Sequence, residues 1–120
     1  MPELSIKLLK GKWKITDMDQ WDVEPGWFIE FDNKGNGAFH FLYVDAEIDY
    51  RLNDDLDRAE FTFHGNDEMD ETFGRGWVEF EGTDLAGYFY FHQGDESGFA
   101  AKKMKPSKSK IKRKGRLMAL

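Results

Sequence analysis

A period of two runs through nearly the whole of this chain. Between Lys12 and Met104 apolar and polar residues alternate, and no stretch sustains the i, i+3, i+4, i+7 spacing of an amphipathic helix. The alternation predicts eight short strands at residues 12–16, 27–32, 38–44, 46–52, 59–64, 76–81, 87–92 and 98–104. The breaks DNKGNG, NDDLDR, EGTDLAG and HQGDESG carry turn chemistry. Strands of this length, joined by tight turns with no crossover helix, form an antiparallel up-and-down meander. Eight of them suffice to close a small barrel and remove the exposed edges. The expected class is all-β.

One parity traces the interior. Trp13, Ile15, Trp27, Ile29, Phe31, Phe39, Phe41, Tyr43, Ile48, Tyr50, Phe61, Phe63, Val78, Phe80, Phe89, Phe91 and Phe99 are expected to point inward. The other parity holds Lys12, Lys14, Glu30, Asp32, Glu47, Asp49, Arg51, Glu60, Thr62, Glu79 and Glu81. Keeping Phe31 and Phe39 on one side requires an odd number of turn residues or a bulge, which Gly35 and Gly37 permit. Two helical pieces are expected at the rims. Leu4, Leu8 and Leu9 suit a short plug over one end, and Asp17 suits a cap on one turn through DMDQW, setting Met18 and Trp21 against the rim.

The chain of 120 residues reads as one barrel domain, 1–104, followed by a basic tail, 105–120. From Lys102 onward there are nine Lys/Arg and no acid, whereas the preceding residues hold eight bases and all 23 acids, a balance of -15. The tail attracts polyanions and the acidic body repels them. It lacks interleaved aromatics for base stacking, so nucleic acid is disfavoured as a specific partner, and the tail is expected to dock weakly on its own body. There is no cysteine and no long apolar run, which points to a reducing, cytoplasmic setting with no membrane span.

The segment Gly11-Lys12-Trp13, opening the first strand of a small meander, resembles the Gly-x-Trp start of lipocalins and fatty-acid-binding proteins, together the calycins. Through GKWKITDMDQWD, GNDEMDETFGRGW and FHQGDESGF the chain also resembles a family of short bacterial proteins with no assigned activity. The resemblance implies a calycin-like barrel. Lipocalins lay a last-strand arginine across the first-strand tryptophan; here only Lys102 or Lys103 stands in that place.

The acidic stretch GNDEMDETFG lacks the alternate-position ligands of a calcium loop, with Met69 in its middle. Asn66 as N-cap, acids in the first turn and Gly74 as C-cap predict instead one helical turn lidding the barrel, with Met69 or Phe73 facing in. His40, His64 and His92 each follow a phenylalanine and so face outward, on strands that are not neighbours in a meander; no zinc site or other cofactor is expected. With no cysteine, no Gly-x-Ser-x-Gly and no spaced Ser/His/Asp set, the chain is not expected to be an enzyme.

Two binding readings follow. Of the 17 inward positions 13 are aromatic and none is arginine, so a narrow interior suits one small, flat, apolar or aromatic ligand, contacted by Trp13, Trp27, Phe41, Tyr43, Tyr50 and Phe63. Alternatively, the outward Phe28, Leu42, Trp77, Tyr88 and Tyr90 form an interface, as a homodimer or with another protein. Pairing through EGTDLAG is expected to set Trp77 across from His92 and Glu79 across from Tyr90.

Overall fold

The computed structural model describes residues 5–104. A four-residue helix, α1 (Ile6–Leu9), precedes eight strands: β1 (Gly11–Met18), β2 (Phe28–Phe31), β3 (Asn36–Phe41), β4 (Val44–Asn53), β5 (Arg58–Asp67), β6 (Asp70–Glu81), β7 (Asp84–Phe91) and β8 (Glu96–Lys103). They pair in chain order and β8 returns to β1, closing an antiparallel barrel. Closure leaves no edge strand, so the backbone ladder is satisfied around the circle. No helix among the described residues is long and apolar enough to cross a membrane.

The alternation is carried into the barrel almost intact. Fourteen of the 17 expected inward residues are buried; Phe80 and Phe91 are half-buried at the rims, and Tyr43 is 68% exposed. Tyr43 is the correction. The chain reverses at Leu42 and Tyr43, with Phe41 paired to Val44, and Leu42 takes a left-handed φ of 54°. Val44 therefore opens β4 and faces inward, while Tyr43 sits at the turn in solvent.

The β2–β3 connection keeps parity as required. Phe31 pairs with Gly37 and Ile29 with Phe39, so five residues separate the closing pair and Phe31 and Phe39 both face in. In β1 a bulge between Ile15 and Asp17 shifts the phase, so Met18 is buried as an extension of the strand. The expected capped turn through DMDQW is not formed. Trp21 still reaches the rim, 5.6 Å from the Phe41 ring. Ser97, buried, accepts from the backbone N–H of Asp19 and of Gln20 at 3.1 and 3.2 Å, tying this connection to β8.

The expected lid is also absent. Residues 66–74 form the tip of the β5–β6 hairpin, with Asp67 paired to Asp70 around Glu68 and Met69. Met69 is 97% exposed and Phe73 47% exposed. A single helical turn fixes several residues for very few hydrogen bonds, whereas continuing the ladder pairs Gly65, Asn66 and Asp67 with Thr72, Glu71 and Asp70. Glu68 accepts the left-handed turn, φ 57°, and its N–H donates to the Tyr43 carbonyl at 3.0 Å.

At the opposite end, α1 packs on the barrel through Leu9 alone of the expected leucines: Leu9 is buried, Leu8 is turned outward and exposed, and Leu4 lies outside the described residues. Trp13 Nε1 donates to the Leu9 carbonyl at 2.9 Å, and Lys103, its register partner on β8, places Nζ 4.7 Å from the indole. The same ammonium donates to the Lys10 carbonyl at 2.5 Å. Burial, and after it the neighbouring charge of Lys10, pushes the Lys103 pKa below its ordinary value. Lys102 and Lys103 thus continue the last strand, while the expected docking of the tail concerns residues outside those described.

Candidate functional site

Inside the barrel, rings occupy the space. Phe89 lies 4.4 to 6.3 Å, centroid to centroid, from Phe99, Phe39, Phe41, Phe61 and Phe63. The inward positions opposite them are glycine. A Cβ on Gly76 would come within 2.6 Å of Phe61 Cζ, one on Gly74 within 2.8 Å of Phe63 Cζ, and one on Gly87 within 2.7 Å of a Phe99 ring carbon. Phenylalanines from β5 and β8 therefore lie flat on the backbone of β6 and β7. Of the six residues expected to contact an interior ligand, Trp13, Trp27, Phe41, Tyr50 and Phe63 are parts of this packing, and Tyr43 is outside it. The Tyr50 hydroxyl donates to the Asp32 carbonyl and so secures the β2–β3 turn. Burial, and after it the Asp32 charge, raises its pKa.

Outside, β6 and β7 carry what the inside lacks. Trp77 pairs across from Tyr88 and Arg75 from Tyr90. The expected pairing of Trp77 with His92 is corrected by four residues, because β6 turns into β7 at Gly82 and Thr83, with Glu81 paired to Asp84, rather than through a longer loop. Trp77 and Tyr88 are stacked, 6.4 Å apart and 15° from parallel, and Tyr88 lies 4.7 Å from Tyr90. Partial burial, followed by the Glu96 carboxylate, raises the Tyr88 phenol above its ordinary pKa. Beside Tyr88 the outward positions of β7 and β8 are small, with Ala86 paired to Ala100 and Tyr88 to Gly98.

The other two expected interface residues stand apart. Phe28 is on β2, covered by the Lys12 ammonium at 4.1 Å, and Leu42 packs against the core from the β3–β4 turn. Phe28 faces a second surface depression, shared with Glu47, His64 and Glu71. The histidines are separately engaged: His40 Nδ1 is 2.8 Å from Asp45, His64 contacts Glu71, and His92 stacks on Phe73. No group of three or more His, Cys, Asp or Glu among the described residues is arranged to hold a metal ion.

The interface set as read from sequence omits the arginines next to it. Arg58 Nε and Nη2 donate to Glu79 Oε2 at 2.9 and 2.5 Å, and its guanidinium lies 4.1 Å from the Trp77 ring. Arg75 lies 5.6 Å from the Tyr90 ring. Arg51, Thr62, Asp49 and Glu60 join Arg58, Arg75, Trp77 and Tyr90 in bordering an open groove of about 710 Å³ across β4, β5, β6 and β7. No sequence motif joins residues on three strands; only the register Arg51–Glu60–Trp77 reveals it. No family profile, no curated protein and no solved structure matches the chain.

Proposed function

We propose that this chain is a non-catalytic interaction module that self-associates through the outer face of β6, β7 and β8, with the barrel as a solid scaffold. One observation carries the reading: on β6 the sequence Gly74-Arg75-Gly76-Trp77 puts glycine inward and its large side chains outward. The inside of that wall is kept small to receive rings, and the outside offers Trp77, Tyr88 and Tyr90 with the small Ala86 and Ala100 beside them, while the Asp19 carboxylate covers Gly98. A ring cluster bordered by small residues is a surface a second copy can cover.

The ring-filled interior favours this reading over an interior ligand, because a narrow barrel has room for its side chains or a ligand and not both. A calycin affinity belongs to the same proposal, supported by Gly11-x-Trp13 and by Lys103 standing over Trp13. The cytoplasmic setting rests on the absence of cysteine.

Sedimentation velocity across a range of concentrations tests it. The full chain is expected to form a dimer that Trp77→Ala with Tyr88→Ala dissociates without unfolding. A monomer at every concentration overturns the self-association, and a dimer indifferent to both substitutions moves the interface elsewhere.

A further inference from the structure

The acidic barrel contains three arginines before Lys102, and Arg51, Arg58 and Arg75 all border the same outer groove. Chance scattering over a closed sheet does not favour that convergence. Their commitments differ. Arg58 is fixed by Glu79. Arg75 meets only the face of Tyr90, and Arg51 has no ion pair, hydrogen bond or ring contact among the described residues. The carboxylate directly across from Arg51, Glu60, accepts instead from Asn53 Nδ2 at 3.3 Å. In a chain with 23 carboxylates, these two guanidiniums face a groove with no carboxylate partner for their anion-binding forks among the described residues.

The rest of the lining narrows the chemistry. Thr62 sits between Asp49 and Arg75 in the register, supplying a hydroxyl donor beside a cation. The guanidiniums of Arg58 and Arg75 lie over the Trp77 and Tyr90 rings, so a planar ligand ring would stack on these cation-capped aromatics. Asp49 and Glu60 are acceptors that oppose a bare anion and reward hydroxyl or amine donors on the same ligand. The groove is of the size that takes one small molecule, although it lies open on the sheet. We propose that it binds a small ligand joining a flat ring, hydroxyl or amine donors and one anionic group, the chemistry of a nucleoside phosphate. The anion sits between Arg51 and Arg75, and the ring lies toward Trp77 and Tyr90. Trp77 and Tyr90 also belong to the proposed self-association face, so a second copy seated there competes with the ligand ring, whereas Arg51 on β4 lies off that face.

Isothermal titration of the full chain at about 50 mM salt, where surface charge is little screened, tests it with four probes. They are adenosine monophosphate, adenosine, inorganic phosphate and indole-3-acetate. Adenosine monophosphate is expected to bind at least about 10-fold more tightly than adenosine or phosphate alone, since one good charge-assisted contact is worth about that factor. Arg51→Gln, off the self-association face, should remove most of that advantage while leaving adenosine binding and the sedimentation profile unchanged, and Arg75→Gln should remove most of it as well. No saturation by any probe at millimolar concentration overturns the site. Unchanged affinity in the double variant overturns the placement of the anion. Tight binding of indole-3-acetate with none of adenosine monophosphate overturns the nucleoside-phosphate assignment in favour of an aromatic carboxylate.

Discussion

β3 and β6 use the same alternation in opposite senses. On β3 the inward residues are Phe39 and Phe41 and the outward ones Ala38 and His40. On β6 the inward residues are Gly74 and Gly76 and the outward ones Arg75 and Trp77. A barrel of eight strands has little cross-section to share, so rings arriving from β3, β5 and β7 leave room for no side chain on the facing part of β6. The consequence appears on the other surface. The strand that contributes least to the core contributes most to the outer face, and an arginine-lined groove and a ring cluster meet there.

The sharpest way to break this contrast is to truncate neighbours on opposite faces of β7. Phe89→Ala removes the ring that touches five other phenylalanines and should cost about 3–5 kcal/mol, the range for an aromatic removed from a packed core. Tyr90→Ala, one residue on and 36% exposed, should cost well under about 1 kcal/mol. Urea denaturation of both variants decides the matter. Comparable losses at the two positions would show that the outer rings hold the fold together rather than serving contact.

The glycines of β6 come next in size. A Cβ on Gly76 would stand 2.2 Å from the Tyr88 carbonyl oxygen and press on the Phe61 ring, so backbone as well as side chain must shift. Gly76→Ala should therefore destabilise by about 1–3 kcal/mol, as overpacking does, although alanine has the better strand chemistry. A thermal melt in which Gly76→Ala matches or exceeds the parent would mean that the interior holds a void, and would revive an interior ligand.

Much of this was legible in the sequence, and the failures share a cause. Alternation located all eight strands and nearly all of the core, because on a closed sheet every strand has one buried face. It went astray where turns lack turn residues. Leu42-Tyr43 contains no glycine, asparagine or proline, so Phe39, Phe41 and Tyr43 read as one continuous inward face. Glu68-Met69 is similar, and the capping residues around it imitate a helix. The groove was illegible for another reason: Arg51, Arg58 and Arg75 meet only through the pairing register of three strands, which no local pattern encodes.

Smaller again is the effect at the closed end, where Lys103 contrasts with the guanidiniums of the groove. Its ammonium is engaged with Trp13 and with the Lys10 carbonyl. Lys103→Met should cost about 1 kcal/mol by removing the cation–ring contact and that hydrogen bond, whereas Lys103→Arg should be nearly neutral. Arg51→Gln, with no partner to lose among the described residues, should leave the melting temperature unchanged. A neutral Lys103→Met in the same melts would mean that the cost of burying the ammonium cancels its contacts.

The smallest effect contrasts a carboxylate that holds a turn with the many that only decorate the surface. Asp32 Oδ1 accepts from the N–H of Lys34 at 2.7 Å and of Asn36 at 2.9 Å. The Asn36 bond first, and the Lys34 bond after it, hold the Asp32 carboxyl below its ordinary pKa of 3.8. A carboxyl depressed in the folded state binds its proton more readily when unfolded, so stability rises with pH through the interval between the two values. The contribution of Asp32 is therefore complete above pH 3.8 and is lost as pH falls through the folded value. Asp32→Asn keeps an acceptor at the same atom and removes the titration. The stability difference between parent and variant should be constant from neutral pH down to the ordinary carboxylate range, then close on further acidification. Carboxylates common to both proteins cancel in that difference. A gap that is flat, or that widens in acid, would show that the charge on Asp32 does nothing for the turn and that the carbonyl-bound hydroxyl of Tyr50 holds it instead.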